Sequence, residues 1–91
     1  MARYELYDLS FRSGVAKDLR GIPRADVARI MARIEGLREE PRPPGCERLS
    51  AQERYRVRQG RYRILYTIDD PERVVEVVKV GHRREVYRES D

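Results

Sequence analysis

Ten consecutive residues, 54 to 63 (RYRVRQGRYR), hold five arginines and no acidic residue. The guanidinium fork grips phosphate through paired hydrogen bonds and stacks on bases, whereas lysine offers only a hydrated point charge, so the run points to phosphate chemistry. Arg54, Arg56 and Arg58 alternate with Tyr55 and Val57. As a strand, the segment sends its arginines to one face and its apolar side chains to the other. Gly60 and Arg61 fit a tight turn, after which Arg63 returns on the next strand. Like charges placed opposite one another destabilise a sheet by up to about 1 kcal/mol per pair unless an anion or an acidic partner neutralises them. The alternative is a solvated face whose arginines pair with Glu47, Glu53 or Glu76.

A second basic group follows Gly81, in the tail HRREVYRESD, with Arg83, Arg84 and Arg88 around Tyr87. A tyrosine ring can stack on an unpaired base while guanidinium groups hold its phosphates. It can equally pin the tail by burying its ring. His82 is the one histidine of the chain. Because the ordinary imidazole pKa lies near neutrality, it is a candidate for proton transfer, or else a surface or capping imidazole. Glu85 can pair with a neighbouring arginine or act on His82, and the sequence does not select between them. Cys46 lies in a proline-rich loop with no histidine nearby in sequence and reads as an incidental thiol.

One cysteine and one histidine cannot assemble an ordinary zinc or iron site, so neither a metal nor another cofactor is expected. The formal charge of +4 favours an anionic partner, and almost all of the positive charge is arginine, with lysine only at Lys17 and Lys79. Codon bias also enriches arginine, so position rather than abundance carries the inference. The lone cysteine excludes an internal disulfide, and no apolar run reaches the length of a membrane span or a secretory signal, which implies a cytoplasmic protein with no membrane partner.

The elements that must position these residues are legible in the hydropathy pattern. A chain of 91 residues supports one domain, spanning 1–91. Residues 3 to 9 suit a first strand, with Ser10 capping a helix whose apolar stripe is Phe11, Val15, Leu19 and Ile22. Gly21 ends that helix and Pro23 begins another, in which Val27, Ile30, Met31, Ile34 and Leu37 form the buried stripe and Arg24, Arg29, Arg33 and Arg38 the solvated side. Pro41 to Cys46 break regular structure. Strands follow at 54 to 59, 62 to 69 and 73 to 80, closed by Gly81. The expected fold is α+β, in the order β-α-α-β-β-β, with two helices on a largely antiparallel four-stranded sheet.

The stretch YRVRQGRYRILYTIDDPERVVEVVKVGHRREVYR resembles the RelE branch of the RelE/ParE toxin superfamily. The resemblance rests on the combined series YRVR, GxYRILY, IDD and GHRREVY over residues 55 to 88, supported by the KDLRGIP junction between the helices. It implies the toxin of a type II toxin-antitoxin pair, an endoribonuclease that enters the A site of the 70S ribosome and cuts mRNA by attack of a ribose 2'-hydroxyl on the adjacent phosphate. It also implies silencing by a cognate acidic antitoxin. By motif, Arg58, Arg63, Arg83 and Tyr87 form the catalytic set, with Arg54, Arg56, Arg61, His82 and Arg84 along the RNA. Arg63 and Arg83 would hold the scissile phosphate, and Tyr87 would orient the nucleotide. Arg56 and Arg58 stand where the best-known member of the family has lysines, one of them assigned as general base. Arginine, with a pKa above about 12, is a poor base. Either Arg58 acts only electrostatically, or another group such as His82 moves the proton. The competing reading is a ParE-like inhibitor of DNA gyrase, which binds without catalysis; a regulator that only binds RNA or an acidic partner is a third.

Overall fold

The computed structural model describes residues 6–49 and 53–82. The elements run β1 (Asp8–Phe11), α1 (Gly14–Arg20), α2 (Arg24–Gly36), β2 (Glu47–Leu49), β3 (Arg54–Gln59), β4 (Tyr62–Asp69) and β5 (Val74–His82). They build one five-stranded sheet in the order β1-β5-β4-β3-β2. The strands β2 to β5 pair antiparallel through short connections, and β1 lies parallel to β5, from which two helices and three strands separate it in the chain. The α+β expectation holds. None of the described helices is long and apolar enough to cross a membrane.

One face of the sheet meets the helices. Val57, Ile64, Tyr66, Val75, Val77 and Val80 bury there against Val15 of α1, Ile30 and Ile34 of α2, and Leu37 just beyond it. Positions 57, 64, 66, 75 and 77 follow the period of two along each strand, as a half-covered sheet demands. The Tyr66 ring is fully buried, yet its hydroxyl donates to the Pro41 carbonyl at 2.7 Å, and burial pushes that phenol's pKa up. Ile30, Ile34 and Leu37 define the buried stripe of α2. Met31 sits about 100° round the helix from Ile30 and is 37% exposed, outside the stripe assigned to it.

Three local expectations are corrected. The first strand runs through Ser10 and Phe11, which stand opposite Glu76 and Val77, so Ser10 caps nothing and α1 starts at Gly14. Strand pairing outweighs the helical spacing of Phe11, which is 41% exposed. A fifth strand, Glu47–Leu49, joins the edge of the sheet; three residues with two charges show no readable alternation. Gly81 lies within β5 opposite Arg63, and the strand continues to His82. The turns expected at Gly21–Pro23, Gly60–Arg61 and Asp70–Pro71 stand where the sequence puts them.

Polar contacts tie the ends of the layers together. Beyond Val77, where β1 stops, Asp18 of α1 accepts the Val80 N–H at 3.1 Å and an ion pair from Lys79 at 3.3 Å, which covers the free edge of β5. At the opposite end, Arg42 reaches both oxygens of Asp70, and Tyr7 donates to the same carboxylate at 2.6 Å. The Arg42 guanidinium also lies 5.3 Å from the centre of the Tyr55 ring. These hydrogen bonds, Arg42 first, hold the Asp70 carboxyl below the usual carboxylate value.

Two stability measurements follow. Ile64→Ala, which empties a fully buried site, is expected to cost about 2–5 kcal/mol in urea unfolding. Because the pKa of Asp70 is lowered on folding, its contribution is present above the ordinary carboxylate value, about 3.9, and is lost as pH falls through the lowered one. Asp70→Asn should therefore lower stability at neutral pH and flatten its decline in acid, as read by urea midpoints across that range.

Candidate functional site

The hairpin of β3 and β4 sets the site. Gly60 has φ +59°, no positive φ occurs at Arg61, and Gln59 pairs with Tyr62, the pattern of a two-residue type II′ turn with glycine first. That turn fixes the register, so Arg58 stands opposite Arg63 and Arg56 opposite Leu65. Since Val57 and Ile64 point into the helix-covered core, Arg56, Arg58 and Arg63 share the other face. Arg54 follows the same alternation and stands opposite Leu49 of β2.

Arg63 is 6% exposed, the one charged side chain among the described residues in the buried class, while Arg58 is exposed. On the far side of Arg63 lies Gly81, whose lack of a side chain leaves room for close approach to the guanidinium row. Below the row, Leu65 and Val78 pack together with Leu49 to make an apolar floor on this same face. A bulge between Leu65 and Tyr66 shifts the register so that both Val77 and Val78 are buried on opposite sides of the sheet.

Glu47 stands opposite Arg56 and is ion-paired with it, so the alternative reading holds for that arginine. Glu76 pairs with Arg12 at 3.4 Å instead. The Arg56 hydrogen bond, then the charges of Arg56, Arg58 and Arg63, hold the Glu47 carboxyl below its usual range. One carboxylate thus lies in the field of three guanidinium groups, of which Arg56 is its contact.

His82 goes elsewhere. It stands opposite Tyr62, and the two rings meet edge-on with centroids 6.1 Å apart. Tyr62 packs on the helix-side core and donates to Asp26 of α2 at 3.3 Å; burial, then Asp26, push its pKa up. His82 therefore lies on the helix-bearing face, in a cleft of about 260 Å³ lined by Asp18, Gly21, Ile22 and Val80 among others. Arg61, at the hairpin tip, lines a neighbouring cleft of about 440 Å³ with Asp26 and Arg29. The structure brings Arg54, Arg56, Arg58 and Arg63 onto one face and sets His82 and Arg61 apart from them. Arg83, Arg84 and Tyr87 lie outside the described residues; β5 ends at His82, beside the position opposite Arg63.

The family model described as the ParE toxin of type II toxin-antitoxin system, parDE, matches residues 9–87. The toxin RelG of Mycobacterium tuberculosis is 32% identical over 84 residues, an alignment covering 90% of this chain and 97% of RelG. The crystal structure of the toxin-antitoxin complex RelBE2 from M. tuberculosis contains a chain similar to this one with a TM-score of 0.76 and 28% identity, covering 86% of this chain and 99% of that one. In the archaeal RelE-RelB complex from Pyrococcus horikoshii OT3 the TM-score is 0.77 at 26% identity, covering 86% and 96%.

If the arginine face takes up phosphates, each guanidinium that contacts one releases counterions. Arg58→Gln is expected to weaken binding of a short single-stranded RNA and to reduce the slope of log K against log salt by about 0.7. Fluorescence anisotropy over a salt series measures this, and an unchanged slope would remove Arg58 from the interface.

Proposed function

The chain belongs to the RelE/ParE family of toxins of type II toxin-antitoxin systems, and from that membership we propose that it is a RelE-type endoribonuclease that cuts mRNA in the ribosomal A site. The observation that carries the reading is the row of Arg58 and Arg63 on the face opposite α1 and α2, with Gly81 opening the far side of Arg63. Attack of a 2'-hydroxyl on the adjacent phosphate builds negative charge on a five-coordinate phosphorus. Fixed cations in a partly desolvated setting stabilise that charge by several kcal/mol. Arg63, buried and fixed, is suited to the developing charge, and Arg58 adds to the field. By the family resemblance, Arg83, which follows β5 in sequence, is proposed to complete the phosphate grip, and Tyr87 to stack on the nucleotide. Arg54 and Arg56, with Arg84 from the tail, extend the path for the strand, and Arg61 at the hairpin tip stands apart from it. The step needs no metal.

The two solved structures described above are toxin-antitoxin complexes. For this chain we propose the same kind of partner, an acidic segment that covers the arginines and shuts out RNA. The ParE name of the matching family model keeps a second reading open, inhibition of DNA gyrase by a non-enzymatic toxin. Incubation of the protein with translating ribosomes, and separately with gyrase and relaxed plasmid, distinguishes the two. Message cleavage with supercoiling unaffected is expected; blocked supercoiling with intact message would replace this proposal by the second. Arg83→Ala should reduce cleavage by about 10²–10³-fold, the usual cost of losing one charge-stabilising donor. Tyr87→Phe should relieve growth arrest, and neither change should move the melting temperature. Full toxicity of both variants would contradict the site assignment.

A further inference from the structure

Arg61 stands off the arginine row, yet the facing residues Gln59 and Tyr62 are all that separate it from Arg58 and Arg63. By parity Gln59 and Tyr62 send their side chains to the helix side of the hairpin, where Tyr62 packs. There the tip meets the start of α2 across a cleft of about 440 Å³ lined by Pro23, Asp26, Arg29, Gln59, Arg61 and Tyr62. Arg61 is exposed and pairs with no carboxylate among the described residues. Arg29 touches Asp26 through one nitrogen at 3.3 Å, and 65% of its side chain is open to solvent, so most of its N–H donors are available. Asp26 accepts Arg29 on one carboxylate oxygen and the Tyr62 hydroxyl on the other, both at 3.3 Å. Each oxygen has a second lone pair, so two acceptors remain side by side.

Two arginines alone would suit a phosphate and an acidic peptide equally. The carboxylate in the same cleft separates the two, because it repels an acidic side chain but accepts hydrogen bonds from the N–H groups on the edge of a base. Guanine places two such donors next to each other on its Watson–Crick edge, matching the paired oxygens of one carboxylate. Uracil offers a single donor flanked by carbonyl oxygens, which the carboxylate repels. Arg29 and Arg61 then serve the phosphate of the same nucleotide.

We propose that this cleft is a second nucleotide subsite, taking a residue that flanks the cut, with its base selected as guanine by Asp26 and its phosphate held by Arg29 and Arg61. The inference rests on the RNA strand placed along the arginine row above. From Arg58 and Arg63 such a strand reaches the cleft by bending over the tip at Gly60, which has no side chain and stands in open space. Sequence preference around the cut is then set by α2, a helix that takes no part in the cleavage step.

The test measures binding of the full chain to short oligouridine RNA by fluorescence anisotropy, with cleavage on programmed ribosomes as a separate arm. Oligouridine carrying one central guanine should bind about 5–150-fold more tightly than oligouridine alone, the range for a bidentate base contact. Asp26→Asn should erase that difference; the melting temperature should hold, since the side chain is part-exposed and its amide oxygen still accepts from Tyr62. Arg29→Gln and Arg61→Gln should weaken both oligonucleotides alike, each reducing the slope of log K against log salt by about 0.7. On ribosomes, messages differing only at the positions flanking the cut should be cleaved fastest with guanine at one of them, a preference that Asp26→Asn loses. A guanine preference that survives Asp26→Asn would overturn the inference. So would RNA affinities untouched by Arg29→Gln and Arg61→Gln; if those variants weakened binding of an oligoglutamate peptide instead, the cleft would belong to an acidic partner. Message cleavage with no guanine preference in either arm removes the subsite and leaves the nuclease reading standing. Guanine preference that depends on Asp26, with no message cut, keeps the subsite and removes the nuclease reading.

Discussion

Register in the hairpin of β3 and β4 governs the rest of this structure. A two-residue turn beginning at Gly60 leaves one pairing, in which Val57 meets Ile64 and Arg58 meets Arg63. A slip by one residue would carry the arginines into the core and the valine and isoleucine into water, so burial of one face enforces the assembly of cations on the other. The helices are the agents of that enforcement. By covering Val57, Ile64 and Tyr66 they make the opposite face the only place for the guanidinium groups. The cost of opposing like charges is borne by a core that would be lost in any other register.

The two ends of the molecule are organised differently. At the end far from the hairpin tip, Asp70 collects Arg42 and Tyr7, and Arg42 lies over the Tyr55 ring, so positive charge there is matched by a carboxylate. On the face opposite α1 and α2, near the hairpin, Glu47 sits at the margin of Arg56, Arg58 and Arg63. Arginine in the first place braces the fold. In the second it forms a concentrated field on the sheet face opposite α1 and α2, the arrangement a polyanion or an acidic partner segment would complete.

Much of this was readable from residues alone, and the exceptions have physical causes. The strands β3 and β4 lie at 54–59 and 62–69 because strict alternation and a glycine turn leave little freedom. The stripe Ile30, Ile34 and Leu37 marked α2 because three-four spacing persists over three turns. Phe11 was misread because its spacing to Val15 fits a helix, while its pairing with Val77 is a contact between residues far apart in the chain. The short strand β2 carries too few residues to show a period. Parity puts Arg54, Arg56, Arg58 and Arg63 of the hairpin on one face, yet it cannot show that Glu47 stands beside them, because the loop before β2 hides the register. Nor could it place His82: the bulge at Leu65 and Tyr66 resets the alternation of β5 and sends the imidazole to the helix side.

The account turns on where a phosphodiester binds. A crystal structure of the chain with a short RNA carrying 2'-O-methyl groups, which cannot be cut, would place that phosphorus directly. The expected result is a phosphate oxygen within hydrogen-bond reach of both Arg58 and Arg63 on the face opposite α1 and α2, close to Gly81. A phosphate held instead in the cleft between Tyr62, His82 and the helices would contradict it.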